Sequence, residues 1–217
     1  MKRIVVIIVA ASLVLAAGIG GYKKQSYTDI NEWEDRMDYF RVAVIDDELV
    51  EGAISRMAEE LDNSRNIWLV RACGEVQYDF KIRKQLVEIE KVYKGEGVAE
   101  GEKVNVAYFG LITYFDDMTM NMGFVNFLQE GKEYLIFLEG ETAGPWEEPY
   151  RVFEFNDYLI LPMFCLERME ERIPVTSEDE YYVDYAEVAG NEFFFKEEKS
   201  FLAMNAWKAK LLERYVD

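Results

Sequence analysis

The sequence predicts an α+β protein that is mainly β, in which an antiparallel β-barrel or sandwich is flanked by helices. Between residues 67 and 166, apolar residues recur at every second position in several short stretches, and turn-forming residues separate these stretches. Helical spacing of apolar residues occurs on either side, at residues 48–61 and 196–216. The chain also begins with an apolar run that is long enough for a transmembrane or signal helix.

Residues 1–24 are the first element, and we predict a membrane anchor or a signal peptide. Two basic residues precede a run of apolar and small residues at 4–21, and Lys23 and Lys24 follow it. A helix of this length spans roughly 27 Å, close to a hydrocarbon thickness of about 30 Å. We expect a single-pass anchor with the rest of the chain outside the cytoplasm. Ala16-Ala17-Gly18 resembles a cleavage site, so secretion after cleavage is the alternative.

Charge and composition exclude several classes of function. Four of the 24 basic residues and none of the 42 acidic residues lie in residues 1–24, so the rest of the chain carries 20 basic and 42 acidic residues, a net charge of −22. Such a charge opposes binding to nucleic acid. The chain has no histidine, which excludes Ser-His-Asp and Cys-His catalysis and HExxH zinc sites. We therefore expect a protein that is not an enzyme.

The chain after the N-terminal segment divides into a linker and one domain. Residues 25–47 are polar enough for a linker or stalk and include a short strand at 39–45. The domain covers residues 48–217, with its barrel core at about 67–166. A helix is predicted at 48–61 from the spacing of its apolar residues, which are Val50, Ile54, Met57, Ala58 and Leu61.

The strands of the domain are predicted from alternation and from turn residues. Predicted strands cover residues 67–80, 82–93, 104–114, 134–138, 150–155 and 158–166. Loops are predicted at 116–123 and 144–149, and residues 173–195 are ambiguous, with a strand at 181–188. The helix predicted at 196–216 carries an apolar stripe with Lys208 at one edge, and we expect the stripe to dock on the barrel or to be offered to a partner. The stripe consists of Phe201, Met204, Trp207, Leu211 and Tyr215.

Three segments carry a resemblance to a known group of proteins. A strand ends in Lys94-Gly95, a Gly-x-x-Val strand begins at Gly101, and residues 131–138 read Gly-Lys-Glu-Tyr-Leu-Ile-Phe-Leu. In these segments the chain resembles uncharacterised membrane-anchored or secreted bacterial proteins with an OB-fold-like barrel, of the kind seen in tissue inhibitors of metalloproteases. The resemblance covers about residues 67–155 and implies an OB-like antiparallel β-barrel. Protease inhibition is not implied, because those inhibitors use a Cys-led N-terminus that this chain lacks.

Two loops contain candidate ligand-binding residues. Trp146 and Tyr150 each follow a proline directly, which allows an exposed aromatic platform for a sugar or peptide, or else packing of the loop on the barrel. Asp116, Asp117 and Asn121 offer oxygen ligands for Ca²⁺, although their spacing matches no EF-hand and a solvated acidic loop is the simpler reading.

Cysteines and acidic pairs complete the candidates. Outside the cytoplasm Cys73 and Cys165 are free to form a disulfide, and the sequence equally allows two unpaired thiols. Paired carboxylates are the residues that glycoside hydrolysis needs. The pairs considered are Glu139/Glu141 and Glu147/Glu148.

The sequence as a whole predicts a non-catalytic binding or interaction module, tethered at the cell envelope. Its expected partners are the membrane, through the N-terminal helix, and an envelope protein or a cell-wall ligand. A carboxylate-based glycan hydrolase and a structural or accessory subunit of an envelope complex are the alternatives.

Overall fold

The computed structural model describes residues 12–20, 36–79, 82–108, 112–114, 118–142, 149–169, 171–176 and 180–216. The chain divides into two compact units, residues 1–36 and residues 37–217. In the first unit, residues 12–20 are helical and expose their apolar side chains. The other residues of the predicted anchor, and residues 25–35 of the predicted linker, lie outside the described residues. No described helix has the length and apolar content that a membrane span requires.

The second unit is an α+β fold built around a closed five-strand β-barrel. Its described strands are β1 (Arg41–Ala43), β2 (Asn66–Ala72), β3 (Gln77–Asp79), β4 (Ile82–Lys94), β5 (Lys103–Tyr108), β6 (Ile112–Tyr114), β7 (Thr119–Asn121), β8 (Glu133–Glu141), β9 (Val152–Phe155), β10 (Met163–Cys165) and β11 (Tyr182–Asp184). The described helices after residue 36 are α1 (Asp47–Glu60), α2 (Tyr185–Val188) and α3 (Glu198–Tyr215), with short 3₁₀ turns at Arg36–Tyr39 and Leu61–Asn63.

The barrel runs in the order β2, β4, β5, β9 and β8, and it closes because β8 pairs with both β9 and β2. Of these pairings, β5–β9 is parallel and the other four are antiparallel. Two short strands extend the sheet outside the barrel, β10 on β8 and β3 on β4. A second sheet has the order β11, β1, β7 and β6.

The core explains why β8 carries apolar residues in succession. All five residues from Tyr134 to Leu138 are buried. Alternate residues of a strand point to opposite faces, so one set fills the barrel and the other needs a cover outside it. The ring of Phe137 contacts that of Tyr215 in α3, with centroids 5.7 Å apart, so α3 supplies part of this cover. Inside the sheet, Trp68 packs edge-on against Phe153 at 4.8 Å.

A tight approach of backbone to side chains follows β4. Gly95 has a φ of +123°, in the region that favours glycine, and a Cβ built on it would collide with the side-chain amide of Asn66 and lie 3.2 Å from Nε1 of Trp68. The Lys-Gly ending of the predicted strand is therefore a steric requirement of the neighbouring strand β2.

Several predicted strands are shorter or divided in the structure. The strand predicted at 67–80 is two strands, β2 and β3, and the one predicted at 104–114 is also two, β5 and β6, which belong to different sheets. The apolar residues occupy even-numbered positions on both sides of each break, with Gly74 and Gly110 between them, so the period of two alone does not reveal the breaks. Of the strand predicted at 158–166, only β10 is regular.

Two predictions in less regular segments are only partly right. The loop predicted at 116–123 contains β7, which pairs in parallel with β1. The strand predicted at 181–188 is β11 followed at once by α2. Both strands join a sheet outside the barrel, and pairing with β1, distant in sequence, stabilises them.

The two main helices confirm their predictions. Helix α1 covers nearly the predicted residues 48–61, and α3 nearly the predicted 196–216. The two helices contact each other, and Ser200 donates a hydrogen bond to the Asp47 carboxylate between them. Phe201, Met204 and Leu211 of the predicted stripe are buried, and the ring of Trp207 contacts Phe164 of β10 at 5.3 Å. The stripe thus docks on the barrel side of the domain.

Candidate functional site

Two adjoining clefts run along α3, with volumes of about 480 Å³ and about 400 Å³. They share Arg168, Leu202 and Asn205, so together they form one groove, here called the α3 groove. Along α3 the groove extends from Glu198 to Leu212, which is about 21 Å at 1.5 Å per residue. Its other wall is the irregular chain that follows β10.

The groove is lined largely by apolar side chains. Leu202, at its centre, is 63% exposed, and Ile173 at one end is 50% exposed. Leu202 thus extends the apolar surface of α3 beyond the buried Phe201. The other apolar lining residues are Leu166, Met169, Ala206, Ala209 and Leu212.

The polar side chains of the groove have unused hydrogen-bonding capacity. Arg168 and Arg172 are exposed, and within the part of the chain that the structure describes their guanidinium groups make no hydrogen bond or ion pair. The other described arginines all have a partner, as Arg151 has in Glu141 at 2.7 Å. The side-chain amide of Asn205 likewise has no partner among the described residues.

A buried ion pair lies beneath the groove. Lys208 donates to the carboxylate of Glu192, and their side chains are only 7% and 3% exposed. The second oxygen of Glu192 accepts the backbone N–H of Cys165 at 2.8 Å, so it bonds an edge N–H of β10. Burial raises the pKa of Glu192, and the Lys208 ammonium group opposes this effect. The pair connects α3 to the edge of the barrel sheet.

Glu171 is a second acid in the groove wall. Both of its carboxylate oxygens are covered from solvent and have no hydrogen-bond partner among the described residues. Burial, and to a lesser degree the charge of Glu192, raises the pKa of Glu171 to about 8. Nearby backbone N–H groups of Glu192 and Phe193 limit the shift. Glu171 is therefore largely uncharged at neutral pH and adds little negative charge to the groove.

The other acids that line the groove, among the residues the structure describes, are Glu167 and Glu198. Glu167 forms an ion pair with Lys132 at 3.2 Å, whereas Glu198 is exposed in the first turn of α3. Within the described part of the chain, Arg168 and Arg172 therefore have no acidic side chain paired with them, although the net charge of the chain is −18.

The structure places one residue of each predicted ligand site. Tyr150 is 39% exposed, and Trp146 lies outside the described residues. Asn121 ends β7, and its side-chain oxygen accepts the N–H of Gly123 at 2.9 Å. Asp116 and Asp117 lie outside the described residues. Among the described residues, no group of three acidic, cysteine or histidine side chains is arranged to hold a metal ion.

The predicted acidic pair Glu139/Glu141 is engaged in separate ion pairs. Glu139 contacts Arg65 at 3.3 Å, and Glu141 contacts Arg151 at 2.7 Å. Glu147 and Glu148 lie outside the described residues. Both carboxylates are therefore salt-bridged, and neither residue lines the α3 groove.

Cys73 and Cys165 are both free thiols in the structure. Cys165 lies in β10, Cys73 directly follows β2, and β8 stands between these two strands in the sheet. Of the two states that the sequence allowed, the structure has the unpaired one. Burial raises the pKa of Cys165, so its thiol is protonated and shielded.

The sequence did not single out the residues of the α3 groove as a site. In the sequence, Lys208 is a charged residue at the edge of an apolar stripe, and a lysine in such a position indicates a buried acidic partner. Arg168, Arg172 and Asn205 carry no motif, and their meeting depends on the path of the chain after β10.

No protein-family model matches the chain, and no curated protein is significantly similar to it. Function is therefore inferred from the residues of the groove themselves.

Proposed function

We propose that this protein is a non-catalytic binding module, held outside the cell membrane by its N-terminal segment, and that it binds its ligand in the α3 groove. The observation that carries the proposal is the groove, which combines exposed apolar residues with two arginines and a side-chain amide that have no partner among the described residues. Binding sites typically join apolar contact area with a few polar groups that orient the ligand. Exposed apolar area of this kind is also typical of interaction surfaces.

We further infer that the barrel is of the OB type. In support, the five barrel strands, numbered in chain order, are arranged 1-2-3-5-4, and the third and fifth are parallel neighbours. OB barrels bind ligands through one strand face and through loops that include the one joining the fourth and fifth strands. That loop, between β8 and β9, holds the predicted residues Trp146 and Tyr150. It is the rival ligand surface.

The extracytoplasmic location is supported by the apolar run at residues 4–21 and the basic residues before it. External protease added to intact cells that produce the full chain with a C-terminal tag should remove the tag. Protection of the tag in intact cells, with digestion only after lysis, contradicts this location.

Site-specific photocrosslinking in the native cells tests the ligand surface. A photoreactive phenylalanine placed at the exposed position Ala206 should give an adduct of defined mass. The same group at Ala58, exposed on α1, is the control for nonspecific adducts. Leu202→Asp should remove the adduct at position 206, because it places a charge on the apolar floor of the groove.

Leu49→Asp is the matched control for that substitution, since Leu49 is 54% exposed on α1, away from the groove lining. Leu49→Asp should leave the adduct unchanged. An adduct at position 150 but not at 206 would move the ligand surface to the β8–β9 loop. Absence of a specific adduct at both positions contradicts the proposal of a binding module.

The two alternative functions have less support. An accessory subunit would offer the apolar stripe of α3 to its partner, but Phe201, Met204 and Leu211 pack within this chain. A glycan hydrolase needs a pair of accessible carboxylates. Among the described acids of the groove, Glu167 is paired with Lys132 and both carboxylate oxygens of Glu171 are covered from solvent, which leaves Glu198 without a second accessible acid.

A further inference from the structure

The polar groups of the α3 groove indicate which ligand chemistry it suits, an inference that rests on the proposed function. In a chain of net charge −18, the exposed arginines Arg168 and Arg172 lie together without an acidic partner among the described residues. Guanidinium groups bind carboxylates through paired, charge-assisted hydrogen bonds. The groove therefore offers positive charge that no acidic side chain of the described residues pairs with.

The position of the charges gives the groove a direction. Arg168 lines both clefts, whereas Arg172 and the acidic Glu198 line only the cleft at the N-terminal end of α3. Glu198 disfavours an anion at the far end, so the carboxylate of a ligand is best placed near Arg168. Beyond it, towards Leu212, the lining is mainly apolar.

The remaining features favour a peptide over a lipid chain. Asn205 is central, and its side-chain amide, which has no partner in the described part of the chain, can donate to and accept from a peptide bond at once. The groove is open along one side, so an acyl chain in it would stay partly in water, whereas an extended peptide hydrates its outward groups. At about 3.3 Å per residue, a length of about 21 Å accommodates roughly six residues.

We propose that the α3 groove binds a short extended peptide whose acidic group pairs with Arg168 and Arg172 and whose apolar side chains contact Leu202 and Leu212. Asn205 bonds the backbone of the peptide between these two parts. The charge contact sets the register of the peptide, and the apolar contacts supply most of the buried area.

Binding of defined peptide pools to the full-length protein in lipid nanodiscs tests this assignment. The probes are fluorescein-labelled hexapeptides with four positions drawn from Leu, Ile, Val and Phe and two positions fixed as Glu, Gln or Lys. Fluorescence polarisation should rank the Glu pool roughly tenfold tighter than the Gln pool, with the Lys pool weakest. Empty nanodiscs measure the binding due to lipid.

Variants connect the ranking to the groove. Arg168→Ala and Arg172→Ala should each weaken the Glu pool roughly threefold to fivefold, in keeping with exposed charge pairs, and leave the Gln pool unchanged. Arg56→Ala is the matched control, because Arg56 lies on α1 and pairs there with Glu60. Leu202→Asp should weaken the Glu and Gln pools alike.

The outcomes separate the ligand class from the proposed function. Equal binding of the Glu and Gln pools, still sensitive to Leu202→Asp, overturns the acidic peptide and retains the groove as a binding surface. If oleate displaces the labelled peptide at a lower concentration than the unlabelled peptide does, the ligand is a fatty acid and the peptide assignment is overturned. Failure of every pool to bind overturns the peptide assignment, and the crosslinking result then decides the proposed function separately.

Discussion

The buried ion pair between Lys208 and Glu192 makes the most direct prediction about stability. Lys208→Met removes the ammonium group but keeps most of the side-chain volume at a position that is 5% exposed. Glu192 is then left with the N–H of Cys165 as its one hydrogen bond among the described residues, in a site where burial already raises its pKa. A buried charge that loses its partner typically costs about 3–5 kcal/mol of folding free energy. We expect a loss of this size for Lys208→Met.

Urea unfolding of the full-length protein, followed by circular dichroism and tryptophan fluorescence, measures this loss. Lys210→Met is the matched control, because Lys210 lies on the exposed side of the same helix and should change the free energy of unfolding by less than about 0.5 kcal/mol. The double variant Lys208→Met/Glu192→Gln removes both charges together, so it should recover at least about half of the stability lost in Lys208→Met.

Two results would refute this reasoning. One is a loss below about 1 kcal/mol for Lys208→Met, which would mean that Glu192 finds solvent or another partner when Lys208 is absent. The other is a double variant whose destabilisation equals the sum of the two single changes, because independent effects would show that the charges are not coupled.

Three further predictions concern other parts of the domain. Because burial raises the pKa of Glu171 to about 8, above its ordinary value near 4.5, the folded protein holds this proton more tightly, so the resulting stabilisation is complete below about pH 4.5 and is lost as pH rises through 8. Glu171→Gln should therefore raise the free energy of unfolding by a few kcal/mol at pH 9 and change it little at pH 5. If urea titrations show that the variant differs from the original protein by the same free energy at both pH values, this prediction is contradicted. Gly95→Ala should lower the free energy of unfolding by at least about 2 kcal/mol more than Gly97→Ala, since both positions have positive φ but only Gly95 faces a steric collision; equal losses in the same assay would show that the neighbouring strand adapts. With a thiol reagent, Cys73 should react in the native protein, whereas Cys165 should react only after unfolding. A reductant should leave the unfolding midpoint unchanged, and a lower midpoint in the presence of reductant would reveal a disulfide.

The sequence predicted the parts of the fold that depend on local periodicity. Helices α1 and α3 lie close to their predicted bounds because apolar residues at helical spacing leave one face to bury. Strands β4 and β8 were predicted because alternation, or a continuous apolar run, persists long enough to be distinguished from a loop. Gly95 also marked the end of β4 correctly, since few other residues accept its φ.

Pairing between distant segments could not be predicted in the same way. The break between β5 and β6 and the presence of β7 depend on which partner strand is available, and β7 pairs with β1, nearly eighty residues earlier in the chain. The β-propensity of three residues is too small to identify a strand from the sequence, because such a short strand is stabilised mainly by pairing with its partner.

The candidate site shows the same division. From the sequence alone, the chain is acidic, lacks histidine and has an apolar run at residues 4–21, and on these properties we predicted a tethered binding module, a prediction that remains to be tested. The α3 groove exists because the chain after β10 lies beside α3, which brings Arg168 and Arg172 to Leu202 and Asn205. Lys208 shows both parts of this division. Its place at the edge of an apolar stripe is visible in the sequence. Its partner Glu192 is identified only by the tertiary structure, because the segments that fold over a charge decide whether it is buried.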